Sequence, residues 1–279
     1  MTETELMLTA IKNCPRVDLY VDPKPLNFFE TKQLEEFRRR RENHEPLQYI
    51  LGSCEFMDCK LLVDPRVLIP RPETEILVET VLEKIFSIVS LEQIASSQKA
   101  LLAMTPNILD LGTGSGNIAI ALAKHIEDCR VTAVDFSKGC LDLAALNARM
   151  NSVQTKIQLI ESDLFSSLKM ENFGALFDII VSNPPYIPTP ELDSLPAELK
   201  HEPRAALDGG EDGLDFYRRI FMECHAFLKP KGWLVLEIGA VQANDLGKML
   251  SVFTHLKLIE IKKDLCQRDR VLVVQFKES

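Results

Sequence analysis

Asn183, Pro184, Pro185 and Tyr186 follow directly on the apolar run FDIIVS. Two adjacent prolines have no N–H to donate, so they end any sheet ladder that leads into them. They also stiffen the backbone, because proline fixes its own φ and holds the residue before it extended. The result is two oxygen acceptors in set places, the Asn183 side-chain amide and the Pro184 carbonyl. Such a pair suits a planar nitrogen, in an amide or an aromatic amine. The lone pair of that nitrogen is delocalised and attacks an electrophilic carbon poorly. Accepting hydrogen bonds from both of its protons draws it toward a pyramidal, nucleophilic form. Tyr186 adds a flat face for the planar group. No strong base is required, since the proton can leave after transfer. Alignment and preorganised acceptors supply the rate. A plain strand terminator is the competing reading.

A second constellation lies upstream. LDLGTGSGNIAIALA places Gly112, Thr113, Gly114, Ser115 and Gly116 at a strand-to-helix turn. Glycines there allow positive φ and close approach of backbone to a ligand, and the helix start favours negative charge. The spacing G-x-G-x-G is one residue short of the dinucleotide fingerprint. Asp135 ends the next strand, VTAVD, nineteen residues after Gly116. A carboxylate at a strand's carboxyl end accepts hydrogen bonds from ribose hydroxyls, or it caps the helix entered at Ser137. Asp163 in IESDLF ends the third strand, placed to meet an adenine amine with Leu164 or Phe165 against the ring, or to cap a turn. These acids and glycines specify an adenosine cofactor without separating NAD from S-adenosylmethionine. The Asn-Pro-Pro-Tyr turn separates them, because hydride transfer has no use for paired acceptors and methyl transfer from a sulfonium does.

The elements that must hold these residues alternate from 107 onward. NILDLG, RVTAVD, KIQLIESD, FDIIVS and GWLVLEI are apolar runs separated by helical patterns, which implies a doubly wound parallel sheet. LKLIEI and RVLVVQF close the chain. Only about eight residues join them, too few for a crossover, so the last strand is expected antiparallel. Residues 1–45 are expected to form a small helical domain, with Thr31 as an N-cap and Leu34 and Phe37 on one face. Residues 46–70 are expected to form a hairpin-like connector with strands KLLVD and RVLI, and 71–279 the catalytic α/β domain. The run Arg38–Arg41 suits the negative end of a helix and its solvated face better than an acidic partner.

Several residues keep two readings. Arg71, Glu73 and Thr74 of RPETE make a helix first turn or edge the cofactor pocket. Glu202 and Arg204 of HEPR close over the substrate or pair on the surface. Glu237 is expected to cap a loop, and His201 to be a solvated loop residue.

The net charge is −9, which argues against long nucleic acid as the partner. The start MTETELMLTA lacks a signal-peptide pattern, and no apolar run is long enough to span a bilayer. Seven scattered cysteines without C-x-x-C fit reduced thiols in a cytosol, and no metal-ligand spacing appears. A monomer is expected.

DLGTGSG, VDFS, ESDLF and VSNPPYIP resemble the S-adenosylmethionine-dependent methyltransferases of the seven-stranded α/β fold that act on planar nitrogens. EPLQYILGSCEF with LIPRPETEILVE, and HEPRAALDGGEDGLDFYRRI, narrow the resemblance. From about residue 35 to the end, the chain is similar to the peptide chain release factor glutamine methyltransferases, which methylate the side-chain amide of the GGQ glutamine in class 1 release factors. The resemblance implies that Gly112–Gly116, Asp135, the Asp163–Leu164 pair and Asn183 hold S-adenosylmethionine. It implies that Asn183, Pro184, Pro185 and Tyr186 hold the glutamine, and that the N-terminal helices help dock the release factor. Leu164 stands where the family often has tryptophan, so an aliphatic contact to adenine replaces a stacked ring. DNA adenine-N6 methyltransferases share the NPPY motif but need a basic cleft, and a non-catalytic relative would have no need of an intact motif.

Overall fold

The computed structural model describes residues 2–21, 23–95, 105–170 and 177–277. The chain opens with helices α1 (Glu3–Lys12), α2 (Asp18–Val21), α3 (Phe28–Glu42) and α4 (Leu47–Leu51). The sequence placed the α3 cap at Thr31. The helix in fact starts a turn earlier, where the Asn27 side chain accepts from Glu30 N–H and the Glu30 carboxylate accepts from Asn27 N–H. That reciprocal box satisfies two end donors, which a threonine inside the first turn does not. Three of the four arginines end in ion pairs within the chain. Arg39 pairs with Glu36, Arg40 with Glu45, and Arg41 with both Glu3 and Glu198. Arg41 thereby ties α1 and α3 to the long loop after residue 187.

A hairpin follows, with strands β1 (Ser53–Phe56) and β2 (Cys59–Leu62). The expected partner strand RVLI is not a strand, and the hairpin closes one segment earlier. Met57 and Asp58 both take positive φ, 44° and 60°, the geometry of a two-residue turn that suits strand twist. Phe56, Cys59 and Leu61 are buried against the same cluster as Leu77 and Ile118.

Helix α5 (Glu73–Ala95) leads to the main sheet: β3 (Asn107–Leu111), β4 (Arg130–Asp135), β5 (Ile157–Glu161), β6 (Phe177–Ser182), β7 (Leu228–Glu237), β8 (Leu256–Lys263) and β9 (Asp269–Phe276). Their order is β5-β4-β3-β6-β7-β9-β8. The first five are parallel; β9 runs antiparallel between β7 and β8, as the short final connection requires. Helices α6 (Asn117–His125), α7 (Lys138–Met150), α8 (Ser166–Met170), α9 (Asp215–Glu223) and α10 (Ala243–Leu250) connect the strands.

The strands are apolar throughout because both faces are covered. Ile108, Ile179, Val181, Val235 and Val273 face the layer containing α5 and α6. Leu109, Leu111, Ile180, Leu234, Leu236 and Leu272 face the layer containing α9 and α10. Alternate residues of one strand thus serve two cores. The chain leaves β3 outward through β4 and β5, then returns to pair β6 on the other side of β3. The carboxyl ends of β3 and β6 therefore adjoin, with Leu111 opposite Ser182 and the Ser182 hydroxyl donating to the Leu111 carbonyl at 2.7 Å.

Gly116 caps α6 at φ 83°. A Cβ there would stand 2.9 Å from Ile120 Cδ1 and 3.1 Å from Ala144 Cβ. Gly116→Ala is expected to lower stability by about 1–3 kcal/mol through overpacking and left-handed strain. Urea melts will show this as a lower midpoint with an unchanged slope.

Candidate active site

The switch between β3 and β6 brings the two sequence constellations to one cleft. Its wall includes Gly112, Thr113, Gly114, Ser115, Asp135, Asp163, Leu164, Asn183, Pro184 and Pro185. Two expected residues lie elsewhere. Gly116 is turned to the α6–α7 contact, where its missing Cβ lets the helices close. Tyr186 sits past the wall, half-buried against the cluster that includes Tyr217 and Leu236.

The glycine loop is fixed by backbone bonds. Gly112 and Thr113 N–H both donate to the Val134 carbonyl, at 2.8 and 2.9 Å. Gly112 and Gly114 take φ of 72° and 54°, and a Cβ on either would meet nothing within 4 Å. Open space over bare backbone is what a close-lying ligand needs. The Asn147 side chain, fully buried on α7, donates to the carbonyls of Ser115 and Leu62 and accepts from Leu62 N–H. One amide so locks the loop to the hairpin, a link no local pattern announced.

Asp135 is 6% exposed. Its two oxygens accept from Gly114 and Ser137 N–H, each at 2.9 Å. Burial pushes its carboxyl above the usual carboxylate range, against the pull of those two bonds. Deeper still, Asp110 accepts from the Thr113 hydroxyl at 2.7 Å, and burial raises it to about 7. Asp163 is shared: its carboxylate also pairs with Arg219 at 2.8 Å. Leu164 is buried at φ 49°, with its carbonyl accepting from Ser162 Oγ. The aromatic side chains in the wall are Phe136, exposed at the end of β4, and Phe216 of α9. Phe216, in the first turn of α9, was not foreseen as a wall residue.

These residues suit an adenosine group with a charged tail. The Ser115 hydroxyl is buried in the wall with no hydrogen-bond partner among the described residues. Leu164, Phe136 and Phe216 give apolar faces, Asp135 retains lone pairs for hydroxyl donors, and the glycine backbone leaves room.

At the other end, Asn183 Nδ2 lies 3.2 Å from Thr74 Oγ1, and that hydroxyl lies 2.7 Å from Glu237 Oε2. Glu237 is not a simple loop cap; it is 2% exposed and raised by burial to about 7. The turn after Asn183 is held by Gln242, whose Nε2 donates to the carbonyls of Tyr186 and Gly213. Residues 207–213 return against it: Ile187 N–H donates to Leu207 O, and Gly209 N–H to Ile187 O. The glycines of DGGEDG are needed for this close return. A Cβ on Gly209 would fall 2.8 Å from Tyr186 Cα, and one on Gly213 2.4 Å from the Tyr186 carbonyl.

Glu202 is not a surface ion. It is buried, accepts from Ile69 N–H at 3.0 Å, and pairs with Arg71. Burial raises its carboxyl and Arg71 opposes the shift. That pair fastens the HEPR segment to the strap before α5, and brings Pro203, Ala205 and Ala206 into the cleft wall. Arg204 is on the outside, 3.5 Å from Asp208. His201 is exposed, its Nε2 3.2 Å from the Asn43 carbonyl.

Comparison with known proteins adds a family. Residues 87–211 match the methyltransferase small domain, and residues 1–52 match the PrmC N-terminal domain. A Geobacter sulfurreducens protein named release factor glutamine methyltransferase is 43% identical over 251 residues, which cover 89% of this chain and 80% of that protein. One of the same name from Thermodesulfovibrio yellowstonii is 35% identical, covering 99% of this chain and 93% of its own length. Among solved structures, the hMettl16 catalytic domain in complex with MAT2A 3′UTR hairpin 6 aligns with a TM-score of 0.58 at 14% identity, covering 91% of this chain and 94% of that one. A methyltransferase from Pyrococcus furiosus gives 0.53 at 16% identity, covering 90% and 100%. At these identities the likeness is one of fold.

Proposed function

The chain belongs to the release factor glutamine methyltransferase family, and from that premise we propose which atoms it acts on and which of its residues do the work. Its activity is the S-adenosylmethionine-dependent methylation of a release factor glutamine. The acceptor is the side-chain amide nitrogen of the GGQ glutamine in class 1 peptide chain release factors. The observation that carries this reading is the adjacency of the Asn183 turn to the glycine loop, through neighbouring ends of β6 and β3.

S-adenosylmethionine supplies a methyl group on a positively charged sulfur. Gly112 to Ser115, Asp135 and the Asp163–Leu164 pair hold it, with Phe136 and Phe216 flanking. The Asn183 side-chain oxygen and the Pro184 carbonyl accept the two amide protons of the glutamine and aim its nitrogen. Preorganisation of both acceptors lowers the barrier, because no group must reorient as positive charge grows on the nitrogen. Pro185 has no N–H to compete for those acceptors. Tyr186 and its stapled carbonyl fix the far side of the turn.

The enzyme works as a monomer in the cytosol, on a protein rather than on nucleic acid. The net charge of −9 supports a protein acceptor over DNA, whose binding requires a cation excess. Among the described residues no helix is long and apolar enough to cross a membrane. Incubation with labelled S-adenosylmethionine and either a class 1 release factor or adenine-containing DNA tests the reading. Label on the GGQ glutamine, located by mass spectrometry, supports it. Label on DNA, or on neither, overturns it.

A further inference from the structure

Side chains from three distant segments meet behind the proposed acceptor. Thr74 comes from the first turn of α5, Glu237 from the last residue of β7, and Asn183 from the end of β6. Thr74 and Glu237 are 1% and 2% exposed, so water does not replace either partner. The Thr74 hydroxyl has one proton to give, and an ionised carboxylate only accepts. At 2.7 Å from Glu237 Oε2, that proton goes to the carboxylate. The Thr74 oxygen is left with lone pairs alone and can only accept from Asn183. The Asn183 amide must therefore turn its NH₂ toward Thr74, at 3.2 Å, and its oxygen away.

We propose that Thr74 and Glu237 are positioning residues that set the orientation of the Asn183 amide, so that it offers oxygen rather than nitrogen to the substrate amide. This rests on the reading of Asn183 as the acceptor. The two orientations of an asparagine amide have the same shape and differ only in hydrogen bonding. Without the relay, nothing steric prevents the flipped form. A flipped Asn183 would point donors at a substrate nitrogen that itself carries two protons, and the acceptor pair would be lost.

The relay has a direction that depends on charge. A protonated Glu237 can donate to Thr74 Oγ1, which frees the hydroxyl proton for Asn183 Oδ1 and reverses the amide. The groups around Glu237 are Arg71 and Glu73 at the start of α5, Arg270 of β9, Tyr186 of the turn and Tyr217 of α9. The Tyr217 hydroxyl donates to the Glu237 backbone carbonyl at 2.8 Å, and Arg270 is itself engaged by Asp264 at 3.2 Å. Burial outweighs the Thr74 hydrogen bond and the two arginines and lifts the carboxyl to about 7. The productive orientation is therefore enforced above that pH and released as pH falls through it.

Single-turnover transfer to a release factor, with both substrates saturating, tests the relay. The wild-type rate should rise with pH through about 7. Thr74→Ser keeps the hydroxyl and should keep the rate. Thr74→Val keeps the shape without the hydroxyl and should lose about 10²-fold in kcat, the scale of a misaligned reacting group. Thr74 also lines the cleft, so the variant's Kd for S-adenosylhomocysteine should change, but far less than kcat. Glu237→Gln accepts or donates equally well; it should lower kcat and flatten the pH limb. A wild-type rate level across this range, Thr74→Val or Glu237→Gln at wild-type kcat, or Thr74→Ser as slow as Thr74→Val would each overturn the relay. A wild-type enzyme that labels no release factor would instead overturn the proposed function.

Discussion

Asn183→Ala is expected to bind S-adenosylhomocysteine nearly as well as the wild type and to transfer methyl groups at least about 10²-fold more slowly. The magnitude follows from the cost of removing one preorganised hydrogen-bonding partner from a reacting centre. The substitution deletes an oxygen that serves the substrate amide and leaves the Pro184 carbonyl as a single acceptor. One acceptor polarises one N–H and lets the nitrogen rotate out of line. The cofactor side of the cleft is untouched, because its hydrogen bonds come from the glycine loop and the end of β4. Truncation also frees the Thr74 hydroxyl from its second partner, yet Glu237 still holds it, so the fold should tolerate the change. Stopped reactions with labelled cofactor give kcat, and calorimetry gives the affinity. An unchanged kcat would mean that the 183–186 turn is a strand terminator and nothing more.

The parallel sheet was legible because two-sided burial writes itself as continuous apolar runs. FDIIVS is buried at all six positions, and no surface strand would carry that run. The antiparallel last strand was legible from connection length alone. Asp135 and Asn183 were legible because both end such runs at the edge where an open α/β sheet binds ligands.

What escaped was set by tertiary partners. Asn147 lies mid-helix in LNARM, where asparagine has no local reason to be; its reason is a carbonyl at Ser115 and a strand edge at Leu62. Gln242, the N-cap residue of α10, is also the clamp on Tyr186 and Gly213, which no local pattern shows. Glu237 and Thr74 each had a bland local role, and only the register of β7 against β6, with α5 crossing above, joins them to Asn183. The hairpin was misplaced because Met-Asp is a weak turn signal beside Asn-Gly, though Asp58 tolerates positive φ. The glycines of DGGEDG were known only by likeness; their reason is the closeness of the Tyr186 backbone.

Asp135→Asn should weaken cofactor affinity by about 10–10²-fold while leaving kcat at saturating cofactor nearly unchanged. Each carboxylate oxygen already accepts one backbone N–H, from Gly114 and from Ser137. An asparagine must turn its NH₂ toward one of these donors. It disturbs the glycine loop or the α7 start, and it offers a cofactor hydroxyl one good acceptor instead of two. Hydrogen bonds to a charged group contribute about 1.5–3 kcal/mol each, which covers the predicted range. The pH dependence has a definite sign. Burial raises the Asp135 pKa in the free protein, and hydroxyl donation to the carboxylate favours its ionised form. Cofactor binding therefore lowers that pKa and releases protons. Affinity is complete above the free-protein pKa and falls as pH drops through it. Calorimetry of S-adenosylhomocysteine binding across an acidic pH series, repeated in buffers of different ionisation heat, measures both effects. The wild type should lose affinity on acidification and Asp135→Asn should not. Parallel curves for the two proteins would show that Asp135 serves only the glycine loop and the helix cap, and that the cofactor's hydroxyls are held elsewhere.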